Sequence, residues 1–409
     1  METSAALAPE LDAAIRANCE RVLRQNWREG TRKSDGTEFA YTCPSPGHYP
    51  WQWYWDSSFT AIAWRHFDPA RARRELESLL AAQRFDGFIG HTIFWNTPLT
   101  GVRRFTYNVT EPGAPTTASI QPPVLAWAWR IAVGDPREVP GIARHHDWLD
   151  ANRDLDGDGL IWIVQPDESG LDASTQFDAI WRRRAHSRPG YVLLVQRNRR
   201  LGYDARRIAE AGGPVCCEVM TNVLYSLSRT ALGQPSLTPQ IIERLYDRET
   251  GLFMPIARPQ PKPRPALTWT ALAPLALPDL PEDIGHDLVQ RHLLDDKEFW
   301  LPVPPPSVSA SDPTFSTRDE NLLGVRRYWR GPTWINAAWL VWLGLVRLGY
   351  EDAAAQLVQR VAGAVGSQGL REYYNPRTGH GMGAVDFGWS SLVMELIAPD
   401  PRAGTSYLG

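Results

Sequence analysis

Apolar positions along the chain recur with helical spacing, and no long run alternates apolar and polar residues as a half-buried strand would. Asp68-Pro69 and Gly331-Pro332 predict helix starts, because proline fits the first turn of a helix. Residues 332–348 are apolar on nearly all sides, so this helix should be covered by others. The predicted helices are 13–25, 57–66, 69–83, 118–132, 140–153, 215–232, 283–293, 332–348, 351–367 and 387–396.

Connections between these helices are very uneven in length, which favours an all-α fold of helix pairs wound into a closed double ring. No linker divides the chain into two parts of different amino-acid composition, so we expect a single domain over residues 1–409. Long connections in a compact domain usually bind ligands or act as lids. Four segments rich in aromatic residues, proline and glycine fit that description: 36–54, 87–117, 251–265 and 301–320.

The composition and charge of the chain argue against some classes of binding partner. Hydrophobic residues make up 43% of 409, enough for a large core, and the net charge of −3 gives no reason to expect nucleic acid. Residues 1–26 lack the apolar centre of a signal peptide, and the longest apolar stretch, 334–346, is too short to span a bilayer. The four cysteines show no metal-site or disulfide pattern. We therefore expect a cytoplasmic protein without a membrane partner; a homo-oligomer stays open.

The 18 tryptophans are unusual. Tryptophan stacks well on sugar rings, although we assign most of them to the core. Residues 49–56, with sequence YPWQWYWD, hold five aromatic residues followed by Asp56. The alternating Trp51, Trp53 and Trp55 are typical of a short strand with one buried face, or of a sugar-stacking wall in which Asp56 binds vicinal hydroxyls.

A first acidic candidate lies in residues 165–174, with sequence QPDESGLDAS. Asp167, Glu168 and Asp172 surround a Ser-Gly turn, and glycosidic hydrolysis needs one carboxylic acid to protonate the departing oxygen. Structural alternatives are open as well. Asp172 would also serve as a helix N-cap, and Glu168 would also pair with an arginine.

A second candidate is Glu372, within the sequence REYYNP at residues 371–376. Two tyrosines follow it, and a glycine-rich turn, TGHGMG, comes next at 378–383. This setting suits a carboxylate that holds a water or a sugar hydroxyl. A surface glutamate before a turn explains the same spacing.

Residues 154–159, with sequence DLDGDG, match the opening of a calcium loop. The twelfth position of such a loop is a bidentate glutamate, and here it is Gln165. We therefore favour a turn between helices. No histidine pair has zinc-protease spacing, and no glycine-rich phosphate loop precedes a helix.

Taken together, these segments resemble bacterial members of glycoside hydrolase family 63, in the branch acting on mannosylglycerate and glucosylglycerate. The similarity runs from about Tyr49 to Leu396. Its landmarks are WYWD at 53–56, IQPP at 120–123, ESGLD at 168–172, EVMTN at 218–222, PSVS at 306–309, YWRGP at 328–332 and EYYNP at 372–376.

The resemblance implies an (α/α)6 barrel with long loops forming a lid, and hydrolysis with inversion. It makes Asp172 the general acid and Glu372 the general base, with no metal or organic cofactor. Tyr373 and Tyr374 would close over the glycerate end. The sugar subsite would be lined by Tyr49, Trp53, Trp55, Asp56, Gln121 and Trp329.

One departure bears on the substrate. Many relatives have tryptophan where this chain has Asp167. An acid at this position would hydrogen-bond the sugar rather than stack on it, and this difference favours mannose over glucose. A glycerate carboxylate needs an arginine fork. The arginine-rich segment 197–207 precedes a helix as a lid would; several of its arginines suit the role, and we take Arg206 as the candidate.

Other functions fit parts of this pattern. A related enzyme would cleave glucosylglycerate, or another α-glucoside such as trehalose. A helical-barrel lyase or sugar epimerase needs a central histidine or tyrosine base, for which His91 is the candidate. A sugar-binding protein without activity would keep the tryptophans but would not need two opposed carboxylates.

Overall fold

The computed structural model describes residues 7–97, 116–182, 187–260, 266–318 and 328–398. Helices dominate these residues, as predicted. The described strands have at most five residues and form five separate antiparallel pairs, so the prediction that the chain builds no extended sheet is confirmed. No helix among the described residues is long and apolar enough to cross a membrane.

The bounds of the elements are as follows. The α-helices are α1 (Pro9–Asn26), α2 (Tyr54–Trp64), α3 (Pro69–Ala81), α4 (Leu125–Ala132), α5 (Pro140–Arg153), α6 (Asp178–Trp181), α7 (Arg188–Arg200), α8 (Ala205–Glu210), α9 (Val219–Ala231), α10 (Thr238–Leu245), α11 (Glu282–Leu288), α12 (Ile335–Arg347), α13 (Glu351–Gln368) and α14 (Met394–Ile397). Short 3₁₀ helices are Pro136–Glu138, Pro166–Ser169, Thr175–Phe177, Trp269–Ala276 and Gly388–Val393, and a π-helical turn, Val289–Leu293, continues α11. The strands pair as β1 (Trp27–Thr31) with β2 (Glu38–Thr42), β3 (Gln52–Trp53) with β4 (Thr92–Ile93), β5 (Val215–Cys217) with β8 (Ile256–Arg258), β6 (Tyr246–Asp247) with β7 (Leu252–Phe253), and β9 (Arg371–Tyr374) with β10 (Gly381–Val385).

Six helical elements pack one against the next around the core. In order they are α2, α4, α9, Trp269–Ala276, α12 and Gly388–Val393, and the last of them packs against α2 again. Five further helices pack on the outside of these six: α3 on α2 and α4, α10 on α9, α11 on Trp269–Ala276, α13 on α12 and α1 on Gly388–Val393. Helix α12 is buried along most of its length, so the prediction of an inner helix at this place is confirmed.

Three predicted helices start later than the sequence indicates, because their first residues bond elsewhere. Thr333 exchanges backbone hydrogen bonds with Tyr374, so α12 begins at Ile335. The backbone N–H of Ile120 donates to Glu168, and α4 begins at Leu125. Residues 215–217 form β5, and α9 follows Glu218, whose carboxylate accepts the Thr221 N–H at 2.7 Å.

The predicted long loops have mixed outcomes. Segment 36–54 contains β2 and β3, and segment 251–260 contains β7 and β8. Residues 98–115 of the predicted loop 87–117, residues 261–265 and residues 319–327 lie outside the described part of the chain. Most tryptophans fill the core, as expected; seven of them are among the largest fully buried side chains: Trp64, Trp127, Trp162, Trp269, Trp329, Trp334 and Trp339.

Candidate active site

Glu372 lies on β9 and is almost wholly buried. Its Oε1 accepts the Tyr328 hydroxyl at 2.6 Å, and its Oε2 accepts the Ala384 N–H of β10 at 2.8 Å. Gly383 has a φ of +66°, and a Cβ there would lie 2.6 Å from Glu372 Oε2. The pairing of β9 and β10 becomes irregular at this glycine, which allows the next N–H to reach the carboxylate. Glu372 is therefore not the surface residue that the alternative interpretation requires.

Tyr49 joins the same group through Tyr328. Their hydroxyl oxygens lie 3.3 Å apart, and the Tyr49 ring meets the Trp53 ring edge-on at 5.6 Å between centroids. Glu372, Tyr328, Tyr49 and Trp53 thus form one connected set drawn from three separate parts of the chain.

Asp56 lies in the first turn of α2 and is buried. Burial raises the pKa of its carboxyl well above the ordinary value, and the negative charges of Glu372, Glu75 and Asp172 raise it further. Asp56 is therefore close enough to both predicted catalytic carboxylates to feel their charge. The structure brings Asp56, Asp172 and Glu372 into one electrostatic neighbourhood.

Asp172 is half-buried in a turn whose backbone is unusual on both sides. Gly170 has a φ of +71°, and a Cβ there would lie 2.4 Å from the Trp55 ring. Ala173 also has a positive φ, 58°, which a residue with a side chain rarely adopts. The next helix begins at Thr175 with Ser174 at its N-cap position, so the alternative that Asp172 caps a helix is wrong.

Glu168 has the structural role that the sequence left open. Its two carboxylate oxygens accept the Arg153 guanidinium at 2.6 and 2.7 Å, and both side chains are fully buried. Backbone N–H groups of Ile120 and Val164 also donate to it, at 3.1 and 2.8 Å. A buried carboxylate with this many donors is a fixed structural ion pair, and here it anchors the segment that leads to Asp172.

The predicted sugar wall is partly a strand and partly a helix. Trp53 ends the two-residue strand β3 and remains half-buried, whereas Trp55 lies in α2 and is buried. Gln121 supports the helix start, because its Oε1 accepts the Trp55 N–H at 3.0 Å. Trp329 is nearly fully buried; its ring stacks on Trp334 at 3.8 Å and lies 6.4 Å from the Trp55 ring.

The two tyrosines after Glu372 have different environments. The Tyr373 ring packs edge-on against Tyr328, at 5.6 Å between centroids, and therefore lies beside the Glu372 group. Tyr374 has no exposed surface, and its hydroxyl donates to the Gly369 carbonyl at 2.7 Å and accepts the Arg371 N–H at 3.0 Å. The prediction that Tyr374 contacts the glycerate end is wrong, because its ring and hydroxyl are used in the core.

Arg206 is also placed away from this group. It is exposed on α8, with its guanidinium 3.4 and 3.5 Å from the carbonyl oxygens of Asp154 and Leu155. The arginine-rich segment 197–207 is largely helical: it comprises the end of α7, a short turn and the start of α8. The predicted carboxylate fork at Arg206 is therefore corrected, because its guanidinium is exposed and bound to the carbonyl oxygens of that turn.

The calcium-like segment forms a turn. Asp154 accepts the N–H groups of Gly157 and Gly159, at 2.7 and 2.9 Å. Asp156 pairs with Arg244 and Arg258 at 2.7 Å, so its oxygens are engaged by arginine. No group of three or more acidic, histidine or cysteine ligands suited to a metal occurs in the described ranges. The arrangement supports the turn between helices.

Asp167 lies next to His91 and Tyr191. Its Oδ2 accepts the Tyr191 hydroxyl and the Gln165 side-chain amide, both at 3.0 Å, and His91 Nδ1 lies 3.6 Å from the same oxygen. Burial raises the pKa of Tyr191, and the charges of Asp167 and Asp172 add to that effect. Asp167 and the predicted acid therefore both act electrostatically on Tyr191.

Sequence reasoning missed Tyr328 and Tyr191. Tyr328 belongs to the YWRGP landmark, but only the tryptophan of that landmark was predicted to be a site residue. Its hydrogen-bond partner, Glu372, is 44 residues away in the sequence. Tyr191 stands in an arginine-rich segment with no catalytic pattern, so the sequence carries no signal for it. Contacts of this kind depend on the tertiary fold.

Comparisons with known proteins agree on one family. The sequence description of the mannosylglycerate hydrolase MGH1-like glycoside hydrolase domain matches residues 49–235 and 233–390. A mannosylglycerate hydrolase from Rubrobacter radiotolerans is 28% identical over 458 residues, covering 95% of this chain and 98% of that protein. A glucosylglycerate hydrolase from Mycolicibacterium hassiacum is 26% identical, with 86% of this chain and 93% of that protein covered.

A solved structure has the same fold. It is the GH63 mannosylglycerate hydrolase from Thermus thermophilus in complex with Tris and D-glycerate. The TM-score is 0.75 at 28% identity, and the match covers 93% of this chain and 99% of that one.

Proposed function

Because the chain belongs to the family of the mannosylglycerate hydrolase MGH1-like glycoside hydrolase domain, we propose that it hydrolyses the α-glycosidic bond of a small compatible solute with inversion. Mannosylglycerate is the favoured substrate, and mannose and glycerate are the products. One observation carries the proposal: the buried Asp56 is an electrostatic neighbour of both Asp172 and Glu372. Glycosidic hydrolysis uses a pair of carboxyl groups that flank the scissile bond, and Asp172 and Glu372 are the pair assigned to that role.

In this mechanism Asp172 protonates the glycosidic oxygen, and Glu372 removes a proton from the attacking water. Inversion needs room for that water, so the two carboxyl groups should lie about 6.5–9.5 Å apart in the productive complex. The hydrogen bonds from Tyr328 and from Ala384 N–H favour the ionised form of Glu372, as a base requires.

Asp56 binds the sugar in this proposal, together with Trp53 and Gln121. Its raised pKa favours the protonated carboxyl, which both donates and accepts hydrogen bonds and so suits two vicinal hydroxyls. Since the Oε1 of Gln121 accepts the Trp55 N–H, its side-chain NH₂ is the part assigned to the sugar. Tyr49, Trp55, Trp329 and Tyr373 support these groups through their ring packing.

The proposal includes an (α/α)6 barrel formed by one catalytic domain over residues 1–409. The ring of contacts among six inner helical elements, with further helices packed outside them, supports it. A lid over the pocket, a cytoplasmic location and the absence of a cofactor remain predictions. The mechanism uses only side chains and water.

Glucosylglycerate is the second candidate, because the relative from Mycolicibacterium hassiacum carries that activity in its name. We favour mannose because Asp167 stands where many relatives have a stacking tryptophan. The arginine that would bind the glycerate carboxylate is left unassigned, since Arg206 lies at the surface.

The test is product release from mannosylglycerate, glucosylglycerate, trehalose and an uncharged methyl α-mannoside. We expect the highest kcat/KM on mannosylglycerate, with mannose and glycerate as the only products. Equal efficiency on the methyl mannoside would show that the carboxylate is not recognised. An unsaturated or epimerised sugar would favour the lyase or epimerase, and binding without turnover would favour a sugar-binding protein.

A further inference from the structure

Glu75 is a fully buried acid of α3 that connects this helix to two other elements. Its Oε1 lies 3.0 Å from the backbone nitrogen of Thr42 on β2 and 2.6 Å from the hydroxyl of Thr60 on α2. Its Oε2 accepts the Thr42 hydroxyl at 2.7 Å. That hydroxyl in turn accepts the Trp64 indole N–H at 2.8 Å, so its own proton is directed to Glu75. Thr42 therefore donates to both carboxyl oxygens.

The Thr60 hydroxyl has more oxygen neighbours than it has protons. Besides Glu75 Oε1, it lies 2.9 Å from the backbone carbonyl oxygen of Asp56 and 3.2 Å from that of Ser57. A carbonyl oxygen only accepts, and a hydroxyl carries one proton. If Glu75 is ionised, Thr60 donates to it, and the Asp56 carbonyl loses this donor. If Glu75 is protonated, it donates to Thr60 and Thr60 donates to Asp56, so both contacts are hydrogen bonds.

The same buried network holds both ends of segment 53–56, which carries the proposed sugar contacts. Gln52 comes directly before this segment, and its Nε2 donates to the Ser57 hydroxyl at 3.0 Å and to the Glu75 carbonyl at 3.3 Å. Ser57 comes directly after the segment. None of the side chains of Gln52, Ser57, Thr60 and Glu75 has exposed surface. Contacts with α3 therefore fix where the first turn of α2 lies.

Glu75 keeps its proton near neutral pH. Burial raises its pKa to about 7, against the opposing effect of its hydrogen bonds. Its negative charge raises the pKa of Asp56 and of Cys43, but burial holds the Cys43 thiol neutral with a pKa of about 11. The elements packed against α3 carry these other titratable groups: Tyr54 on α2, Glu38 and Tyr41 on β2, and Arg130 on α4.

These other groups do not compete for the Glu75 proton. Burial raises the pKa of Tyr41 and of Tyr54, so both stay neutral, and Glu38 is exposed. Arg130 donates to the Ala231 carbonyl at 2.9 Å. Asp56 is therefore the site residue that responds to the charge of Glu75.

We propose that the protonated carboxyl of Glu75 positions Asp56 for sugar binding, by donating to Thr60 while Thr60 donates to the Asp56 carbonyl. The inference rests on the proposed role of Asp56 in the sugar subsite. Loss of the Glu75 proton removes a donor from the Asp56 carbonyl and adds a buried negative charge beside the same residue. Sugar binding therefore weakens as pH rises through the pKa of Glu75.

The experiment measures the dissociation constant of mannose or glucose, whichever the wild type binds more tightly, by calorimetry at pH 6 and pH 8.5. The wild type should bind at least about threefold more weakly at pH 8.5, as expected for one lost hydrogen bond. Other groups of the site also titrate, so the comparison is with Glu75→Gln, whose amide does not titrate. The pH effect should be smaller by that factor in this variant. An equal pH effect in the two proteins would overturn the proposal.

Thr60 gives a test that leaves Glu75 in place. Thr60→Val removes the link to the Asp56 carbonyl and should weaken sugar binding at pH 6 by at least about threefold, whereas Thr60→Ser keeps the hydroxyl and should bind as the wild type does. The matched control is Ser58→Ala, which removes a hydroxyl that donates to the Tyr54 carbonyl at 3.1 Å in the same helix. It should keep both the affinity and the pH effect. Wild-type affinity of Thr60→Val at pH 6 would contradict the proposal.

Hydrogen exchange reports the same chain without any sugar. Protection of the amides of residues 57–60, corrected for the intrinsic exchange rate, should fall between pH 6 and pH 8.5 in the wild type and stay constant in Glu75→Gln. An equal fall in both proteins would overturn the role of Glu75.

Turnover separates this inference from the proposed function. Sugar binding that depends on Glu75, in a protein that hydrolyses no glycoside, would overturn the proposed function alone. Hydrolysis of mannosylglycerate, together with a pH effect on sugar binding that persists unchanged in Glu75→Gln, would overturn this inference alone.

Discussion

The Tyr328 hydroxyl donates a hydrogen bond of 2.6 Å to Oε1 of Glu372. The other carboxylate oxygen accepts a backbone N–H from β10, so Glu372 is held by one side chain and one strand. A carboxylate that receives two hydrogen bonds is stabilised in its ionised form, and its orientation is fixed. This contact fixes the direction of the proposed base and supplies one of its two hydrogen-bond donors.

Tyr328→Phe should therefore weaken the base without removing it. We expect kcat to fall roughly tenfold and the acidic limb of the pH–rate profile to move to higher pH, because the ionised form loses one donor. The profile should be measured for the variant and the wild type on the same substrate. An unchanged acidic limb would show that the hydroxyl does not act through Glu372.

Asp172→Asn and Glu372→Gln should each lose at least about a hundredfold in turnover while folding normally. The two losses should depend differently on the leaving group. A dinitrophenyl α-mannoside needs little protonation, so it should recover activity with Asp172→Asn but not with Glu372→Gln. The control is Asp150→Asn on α5, a half-buried carboxylate paired with Arg229. Near wild-type turnover of mannosylglycerate by either catalytic variant would remove that residue from its role.

Asp56→Ala should impair binding and turnover together. Contacts to sugar hydroxyls strengthen as the ring distorts toward the transition state, so kcat should fall and KM should rise. Steady-state kinetics on mannosylglycerate, with circular dichroism to check the fold, gives the result. A change in KM alone would mean that Asp56 contributes only ground-state binding.

Glu75→Gln should alter the pH dependence of stability. Glu75 is fully buried on α3, where it accepts hydrogen bonds from Thr42 and Thr60, and burial raises its pKa from 4.5 to about 7. Between those pH values the folded chain keeps a proton that the unfolded chain releases, so the free energy of unfolding falls as pH rises. In the Glu75→Gln variant the free energy of unfolding does not fall in this way. Relative to the wild-type value, it should rise by on the order of 1–3 kcal/mol between pH 5 and pH 8. Urea unfolding at both pH values measures the difference in the free energy of unfolding between variant and wild type. If this difference is the same at both pH values, the raised pKa of Glu75 is not its cause.

Local signals in the sequence predict much of the fold. Helix α5 occupies its predicted range, and α3 starts at Pro69 behind the Asp68 carboxylate, which accepts the Arg71 N–H. The failures involve long-range bonds. Residues 215–217 look like the start of a helix, but they pair with β8, and Thr333 pairs with Tyr374.

Sequence motifs pointed to three acidic candidates for the proposed site. Asp56, Asp172 and Glu372 come from three distant segments, and the structure brings them together. Tyr374 and Arg206 were wrongly chosen, because residue type and spacing do not reveal which side of a strand or helix faces the pocket.

The central claim is inverting hydrolysis of an α-mannoside by one acid and one base on opposite faces of the sugar. Proton NMR during the first minutes of mannosylglycerate hydrolysis, before the product anomers equilibrate, tests it most directly. We expect β-mannose to appear first, together with glycerate, because water attacks the face opposite the leaving group. First appearance of α-mannose would mean retention, with the carboxyl groups about 5 Å apart and one of them acting as a nucleophile, and would contradict inversion by Asp172 and Glu372.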